Sequence, residues 1–564
     1  MTGATPEETT GTRRKNGSEP NDVDGKRWIN VALEDHEPDE PIETNGWYTL
    51  AFDIDVGQRK ESIANTEFAE PGVFKEGVEE VTLTIQLDSE DFEITQRTRP
   101  LRVPRSGRSK GKARFDISPR HDGTSPIKAT VHMEGNFIQQ MELTFEVGAT
   151  RPTPVGIDAK GRPAAAASMV EPRDVGLSLS PAAGGGYDCV VWGSVSARAK
   201  LTIQEAHLAV AIETARQELM KVVMHQDADG NYIFQIGIDI PDVDRDEALR
   251  IMARAGSRLF QQLFYGPGAG ADSKAIGDFL KRMAADKKTR LKLQILAEST
   301  PLPWGLLYVG DASAGAKLDW DNFIGMRHII EQIPLQPTLS VSDSVIASDQ
   351  PTLSVSVNVN RDIDRQMGRP FVADQEKYWR DTAKTSRQLR VKSRTTRDEL
   401  VQALNDVQTD DQILYFYCHA ESLPLSAGGG PDKSTLVLSD ASVTLGDLSL
   451  DAPTSLQLRG NPLVFINACE SADLSPLFYD GFVPYFMAKG ARGVVGTECK
   501  TPALFAEEWA ERFFGRFLNG DPLGETFLEL RREFLDTHGN PLGLLYAVHC
   551  DGDTHVLPGV TIAK

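Results

Sequence analysis

The chain has 564 residues, of which 40% are hydrophobic and 25% are charged, a balance typical of a soluble globular protein with two to four domains. Its net charge of −21 creates a field that repels nucleic acids and anionic lipids, so a nucleic-acid-binding role is disfavoured. The sequence shows no signal-peptide pattern and no apolar run of 18 residues, and its five cysteines are scattered, so we expect a cytoplasmic protein with free thiols and no membrane span.

The N-terminal part of the chain is predicted to hold a polar tail and an all-β domain. Residues 1–27 are polar and lack hydrophobic periodicity, which predicts a disordered tail. From 28 to 148, short alternating runs recur between turn residues with no helical pattern among them, which predicts a β-sandwich with a regulatory or interaction role. The basic run 102–114 is interpreted as a solvated hairpin loop, with a binding patch as the alternative. The predicted strands are WYTLAFDIDV (47–56), VTLTIQL (81–87), ARFDIS (113–118), IKATVHM (127–133) and MELTFEV (141–147).

A linker and an α/β domain are predicted for the remainder of the chain. Residues 149–176 are rich in Pro and Ala, which indicates an extended linker. Over 177–564, apolar strands alternate with amphipathic helices, which predicts an α/β/α sandwich with a mostly parallel central sheet. The predicted elements are strands at 177–180 and 187–195, a helix near 203–224, a strand at 232–240, a helix at 243–264, strands at 291–298 and 352–359, helices at 374–389 and 396–407, strands at 411–418, 461–469 and 492–499, and helices at 502–519 and 522–537.

Two of these strands run directly into side chains with catalytic chemistry. DQILYFYC leads into His419, and NPLVFINA leads into Cys469. Because the carboxyl ends of parallel strands meet at one edge of the sheet, we expect the imidazole and the thiol to lie together there, with the imidazole able to activate the thiol as a nucleophile. The spacing of fifty residues is close to the His-to-Cys spacing of caspases. The alternative is that Cys469 is a small buried hydrophobe and His419 a hydrogen-bonded structural histidine.

Six segments, taken in order, resemble the CHAT domain, a bacterial branch of the caspase, separase and gingipain clan of cysteine peptidases. The resemblance covers roughly residues 200–560 and leaves the β-rich N-terminal part uncovered. The segments are PLPWGLLY (301–308), YFYCHAES (415–422), VFINACESA (464–472), GARGVVGTEC (490–499), FAEEWAERFFGRFLNGDPLGETF (505–527) and NPLGLLYAVHCDGD (540–553).

The resemblance implies a caspase-like protease domain over 177–564, with its core at about 290–560. It implies endopeptidase activity with a Cys469–His419 dyad. It also implies an oxyanion hole formed by the backbone N–H groups of Cys469 and Ala420. The family usually has Gly after its catalytic His; Ala420 is tolerated there if φ is negative, whereas a positive φ would let its Cβ narrow the oxyanion hole.

Carboxylates near the predicted catalytic edge suggest a basic substrate side chain. In basic-specific relatives of this clan, acidic residues around the cysteine strand form the pocket for a P1 Arg or Lys. The candidates by position are Glu498, Asp362 and Asp364, and the neutral Asn467 could line the same pocket. The alternative is that these are ordinary loop carboxylates. We therefore predict cleavage after Arg or Lys rather than after Asp.

The expected partners follow from the resemblance alone. It implies a protein substrate in a bacterial signalling or antiviral defence system, such as a gasdermin-like pore former, and an activating protein that acts through the N-terminal β domain. The chemistry requires no cofactor. The cluster of His549, Cys550 and His555 lacks the fourth ligand of a structural zinc site, so no metal is predicted.

Two rival interpretations remain open at this point. The CHAT-like part could be a catalytically silent scaffold, since Cys418 and Cys499 lie close to the predicted site in sequence and Ala420 departs from the family pattern. Alternatively, the chain could be a binding module that becomes active only when the β-sandwich engages a partner.

Overall fold

The structure is a computed structural model that describes most of the chain. The described residues are 26–34, 36, 40–70, 72–149, 154–161, 170–182, 184–285, 288–297, 302–335, 344–386, 388–422, 429–468 and 477–557. Nearly all of the predicted tail at 1–27 lies outside these ranges, as does Cys469. None of the described helices is both long enough and apolar enough to cross a membrane.

Two antiparallel five-stranded sheets form the N-terminal domain, in the orders β3-β1-β2-β7-β5 and β10-β9-β8-β4-β6. Alternate residues of these strands face one shared apolar core, as in β7, where Ala113, Phe115 and Ile117 are buried and the residues between them are exposed. This confirms the predicted all-β class. The strands are β1 (Trp28–Glu34), β2 (Tyr48–Asp55), β3 (Ala64–Glu67), β4 (Glu80–Asp88), β5 (Phe92–Ile94), β6 (Thr98–Pro104), β7 (Ala113–Pro119), β8 (Gly123–Met133), β9 (Asn136–Val147) and β10 (Gly156–Gly161).

Two features of this domain, an additional strand and a set of ion pairs, were not predicted from the sequence. Strand β10 lies inside the segment interpreted as a linker, and it pairs antiparallel with β9 along its whole length. In the basic run 102–114, Lys112 and Arg114 both pair with Glu34, and Lys110 pairs with Glu80. These cations are therefore partly neutralised within the domain.

A first α/β unit follows, built on a five-stranded sheet in the order β13-β12-β11-β14-β15. Strands β11, β14 and β15 run parallel, while β12 and β13 are antiparallel additions. The strands are β11 (Val175–Pro181), β12 (Tyr187–Gly193), β13 (Ala197–Leu201), β14 (Lys292–Ala297) and β15 (Ile329–Pro334). The helices are α1 (Glu205–Val223), α2 (Ile233–Ile236), α3 (Asp242–Tyr265), α4 (Ala271–Ala285) and α5 (Ile324–Arg327).

The prediction of a strand at 232–240 is wrong, because the structure has the short helix α2 there. Phe234 is fully buried, whereas Ile236 on the same segment is 55% exposed. A short apolar run such as 232–234 fits one turn of helix as well as a buried strand, and the packing of Phe234 decides between them.

The second α/β unit carries the mostly parallel sheet that was predicted, in the order β18-β17-β19-β22-β23-β24. All neighbouring strands run parallel except β24, which is antiparallel to β23. The strands are β16 (Val345–Ile346), β17 (Leu353–Val359), β18 (Leu389–Arg394), β19 (Ile413–Glu421), β20 (Thr435–Val437), β21 (Ser442–Thr444), β22 (Leu463–Ala468), β23 (Gly493–Thr497), β24 (Tyr546–His549) and β25 (His555–Val556). The helices are α6 (Asp362–Met367), α7 (Phe371–Thr385), α8 (Arg397–Asn405), α9 (Leu445–Asp451), α10 (Leu477–Ala488), α11 (Ala503–Phe517) and α12 (Leu523–His538).

Apolar cores cover both faces of this second sheet. On one face, α11 packs its aromatic stripe against β19, β22 and β24; the stripe is Phe505, Trp509, Phe513 and Phe517, all fully buried. On the other face, strand residues such as Phe416 and Ile466 pack with α8, α9 and α10. Strands buried on both faces read as continuous apolar runs, which explains why the sequence predicted them well.

A buried ion-pair network joins the C-terminal segment to the start of the first α/β unit. We call it the Arg173 junction. Arg173 is 3% exposed and binds Glu331 through two bonds, Nε to Oε1 at 2.7 Å and Nη2 to Oε2 at 3.0 Å. It also pairs with Asp551 at 3.0 Å and Asp553 at 2.7 Å. Although burial disfavours its charge, the three carboxylates raise the pKa of Arg173 well above its usual value.

Candidate active site

Strand β19 positions His419 at the carboxyl edge of the second sheet. The strand is buried from Ile413 to Cys418, and His419 is its first partly exposed residue. The neighbouring strand β17 ends at the same level, where the backbone N–H of Asn360 donates to the carbonyl of Tyr417 at 3.1 Å. The imidazole Nε2 lies 3.0 Å from Oε1 of Gln366 on α6.

Strand β22 brings the chain to the same edge. Its Ala468 pairs in parallel register with Cys418, and these residues immediately precede Cys469 and His419. Cys469 lies outside the described residues. The register therefore supports the predicted meeting of the two strand ends, while the dyad itself stays a prediction.

The four cysteines that the structure describes are poor nucleophiles. Cys189, Cys418, Cys499 and Cys550 are all buried. In each case burial raises the pKa of the thiol to about 12, so these thiols stay protonated at neutral pH. Of the five cysteines in the sequence, Cys469 is left as the candidate nucleophile by this argument.

A polar cavity of about 440 Å³ opens beside His419. Its walls come from the end of β17, from α6 and from the β20–β21 hairpin. Three carboxylates line it, those of Asp362, Glu421 and Asp440, together with Gln366. Asp362 pairs with Arg365 one turn along α6. The cavity therefore combines the imidazole with a negatively charged wall.

Ala420 adopts strand geometry, in a backbone conformation that accommodates its Cβ. It pairs with Leu436 in the short antiparallel extension of β19, and its side chain is fully buried. Among the described non-glycine residues, positive φ angles occur at Asn45, Glu134 and Asn461. Ala420 is not among them, so the departure from Gly imposes no left-handed strain here.

Glu498 forms a buried ion pair rather than facing this cavity. It directly follows β23, and its Oε2 accepts bonds from Arg216 on α1, from Nη2 at 2.6 Å and from Nε at 3.2 Å. Glu498 is 5% exposed and Arg216 is 3% exposed. No sequence pattern indicated Arg216 as the partner, because the two residues are 282 positions apart.

Asn467 and Asp364 also make internal bonds. The Asn467 amide donates to Tyr415 Oη at 3.2 Å and to the carbonyl of Ala506 at 2.8 Å, and it accepts from Tyr546 Oη at 2.7 Å. The Asp364 carboxylate accepts the backbone N–H groups of Val372 at 2.7 Å and Ala373 at 3.0 Å, at the start of α7. Of the four predicted substrate contacts, only Asp362 lines the cavity of His419.

No group of three or more His, Cys, Asp or Glu side chains in the described ranges is arranged to hold a metal ion. His549 is buried, and burial lowers its pKa to about 4. The Cys550 thiol lies 3.3 Å from Thr554 Oγ1. These contacts belong to the packing of β24.

Comparison with known proteins identifies the family. The model of the CHAT domain matches residues 255–541, half of the chain. The chain therefore belongs to the CHAT domain family, which confirms the resemblance found in the sequence.

Individual relatives are more distant. The chain is 33% identical over 145 residues to a protein named "Probable protease" from Vitiosangium sp. (strain GDMCC 1.1324). That alignment covers 25% of this chain and 18% of the relative, so the chain spans about a fifth of the length of the curated relative that it matches. Two crystal structures of the Saccharomyces cerevisiae separase–securin complex are also similar, with TM-scores of 0.35 and 0.34 at 10% and 8% identity; each match covers 67% of this chain and 30% of the other.

Proposed function

We propose that this protein is a cysteine-type endopeptidase in which Cys469 is the nucleophile and His419 the general base. The observation that carries the proposal is the position of His419. It is the first partly exposed residue after six buried residues of β19, it lies beside a cavity, and β19 is in register with the strand that leads into Cys469. Family membership and the burial of the four other thiols support the same assignment.

The proposed reaction proceeds in two stages. The imidazole takes the thiol proton, and the thiolate sulfur attacks the scissile carbonyl carbon to form a tetrahedral oxyanion, which the N–H groups of Cys469 and Ala420 stabilise. The C–N bond then breaks, and the imidazolium gives its proton to the leaving amine, which leaves a thioester on the sulfur. A water molecule, deprotonated by the imidazole, attacks the thioester, so that the acid product and the free thiol are released.

We further propose that the enzyme cleaves after Arg or Lys. Asp362 supports this specificity, because its carboxylate lines the cavity of His419 together with Glu421 and Asp440. A guanidinium or ammonium group is the natural complement of such a wall. Glu498 is buried with Arg216 away from this cavity, whereas Asp362 lines the cavity and its pair with Arg365 is open to solvent, so in our proposal Asp362 makes the principal contact with the basic side chain.

The substrate in the cell and the activating partner rest on the family resemblance. We propose a protein substrate in a bacterial signalling or defence system, for which a gasdermin-like pore former is one example. The contacts between the β-sandwich and the first α/β unit support gating by a partner. The backbone N–H of Phe137 on β9 donates to Gln294 Oε1 on β14 at 2.7 Å, and Trp192 Nε1 donates to the carbonyl of Gly135 at 2.9 Å.

A thiol-reactive peptidyl probe with Arg at P1 tests the catalytic assignment on the full chain. We expect labelling that is lost in Cys469→Ala and strongly reduced in His419→Ala, because both the nucleophile and its base are needed. Cys189→Ala, in the first α/β sheet, is the matched control and should label like the parent. Cell extract is added in a parallel sample to supply an activating partner. If the parent protein is not labelled by the probe with or without the extract, the chain is a catalytically silent scaffold and not a protease.

A peptide library tests the specificity separately. Cleavage should concentrate after Arg and Lys, and Asp362→Asn should reduce it. A preference for Asp at P1 would contradict the basic specificity while leaving the dyad intact.

A further inference from the structure

Gln366 contacts the ring of the proposed base directly, and the atoms in contact define the state of that ring. Its Oε1 lies 3.0 Å from Nε2 of His419. A carbonyl oxygen can only accept a hydrogen bond, so with the amide oxygen of Gln366 facing the ring this contact requires the proton on Nε2. In the neutral ring the lone pair is then on Nδ1. The bond thus distinguishes the two nitrogens.

The helix that carries Gln366 is short but fixed at several points. At its start, the backbone N–H of Arg361 donates to Ser439 Oγ at 2.9 Å, and that of Asp362 donates to Asn360 Oδ1 at 3.0 Å. Ile363 is fully buried in the core.

The end of α6 is fixed as well. The Asp364 carboxylate bonds to the first turn of α7, and Gly368 closes α6 in a left-handed conformation with φ of 65°. A helix of six residues is thereby held rigidly beside His419, which is the support that a positioning side chain requires.

We propose that Gln366 is a positioning residue for His419. It holds the ring in the Nε2–H tautomer and in one orientation, which leaves Nδ1 as the nitrogen that exchanges a proton with the Cys469 thiol. This inference rests on the proposed function. The amide is neutral, so it orients the ring without adding to the charge of the cavity. The charged groups that share this cavity or flank it are Asp362 and Arg365 on α6, Glu421 on β19 and Asp440 in the hairpin.

The size of the effect follows from exposure. The Gln366 side chain is exposed, so water competes for its hydrogen bond to His419, and loss of this bond should have a moderate cost. We expect Gln366→Met, which keeps the length but removes the carbonyl, to lower kcat about 3- to 10-fold with little change in KM. Gln402→Met, the same change at an exposed glutamine on α8, is the control and should leave both constants unchanged.

Gln366→Glu separates positioning from simple packing. An ionised carboxylate still accepts from Nε2–H, so the orientation should be retained and kcat should recover relative to Gln366→Met. The carboxylate also stabilises the imidazolium, so the limb of the pH–rate profile that reports imidazolium deprotonation should move to higher pH by about one unit. If Gln366→Met and Gln366→Glu both match the parent in kcat and pH profile, the positioning role is refuted.

The tautomer can be measured without any assay of activity. In the full chain with ¹⁵N-labelled histidine, the His419 ring, assigned by its loss in His419→Gln, should show the Nε2–H pattern at neutral pH. This pattern should weaken in Gln366→Met. An Nδ1–H pattern in the parent would overturn the inference even if the protease is active. Conversely, activity that survives Cys469→Ala would refute the proposed function and leave the measured tautomer standing.

Discussion

The Arg173 junction and the cavity of His419 both contain several carboxylates. At the junction these carboxylates are paired with an arginine, whereas those in the cavity are exposed to solvent. At the junction, Glu331 is 1% exposed and is bound by two guanidinium nitrogens, while Asp551 and Asp553 complete the network. In the cavity, Glu421 and Asp440 remain in contact with water. An unpaired buried charge is strongly destabilising, whereas a solvent-exposed charge is stabilised by water and remains available to bind a ligand. The contrast separates carboxylates that hold the fold from carboxylates that can meet a substrate.

The largest effect is expected at the junction itself. Arg173→Met leaves the Glu331 carboxylate buried without its cation, so the free energy of unfolding of the α/β part should fall by about 3–5 kcal/mol. Urea denaturation followed by tryptophan fluorescence measures this. Lys26→Met, at an exposed pair with Glu67, is the control and should change the value by less than about 0.5 kcal/mol. Equal effects of the two changes would break the comparison.

Arg216 and Glu498 test whether a buried pair near the proposed site behaves like the junction. Arg216→Met should lower the free energy of unfolding by about 3 kcal/mol, because Glu498 loses its partner in a dry environment. Adding Glu498→Gln removes the stranded charge and should restore about half of the loss. If Glu498 contacts the substrate instead, the double variant will lose its preference for Arg in the peptide library.

Glu507 on α11 lies between these two groups of carboxylates, because it is partly buried but, within the described part of the chain, is not paired as Glu331 is. Its effect on the free energy of unfolding should therefore depend on pH. Burial, and next the charges of Glu511 and Asp374, raise its pKa to about 8. The folded state therefore binds a proton that the unfolded state releases near its ordinary pKa, so this contribution to stability is present at low pH and is lost as the pH rises towards 8. Glu507→Gln should raise the free energy of unfolding by about 1–2 kcal/mol at pH 8.5 and have little effect at pH 5, since the site is partly hydrated. A gain of equal size at both pH values would contradict this origin.

Asp362 should show the smallest effect on stability and a clear effect on activity. Its carboxylate is partly exposed and lies in the cavity. Asp362→Asn should change the free energy of unfolding by less than about 0.5 kcal/mol, yet reduce kcat/KM for an Arg peptide about 10-fold or more. A large loss of stability would place Asp362 with the residues of the junction.

Secondary structure was predicted best where burial imposes a regular pattern of apolar residues on the sequence. The central strands β19, β22 and β23 are apolar runs with packing on both faces, and the apolar residues of α11 repeat at helical spacing, so these three strands and this helix were predicted correctly. The strand prediction at 232–240 was wrong, because the secondary structure of this short segment depends on the packing of one residue, Phe234.

The contacts of the site were less predictable for a different reason. Arg216 and Glu498 are far apart in the chain, and Gln366 is a single polar residue on a short polar helix. No local pattern marks such partners, since only the fold brings them together. His419 was accessible to sequence reasoning because it ends a recognisable buried strand.

The Arg173 junction also sets an order of events during synthesis. Its last two partners, Asp551 and Asp553, follow Arg173 by 378 and 380 residues. At roughly 5–20 residues per second, a nascent chain waits roughly 20–80 s between the emergence of Arg173 and that of these carboxylates. The strands of the β-sandwich all lie before residue 162, so that domain can be complete on the ribosome while the α/β units still lack their final strands. We therefore expect a newly made molecule to present a finished sandwich well before it could possess an assembled catalytic edge.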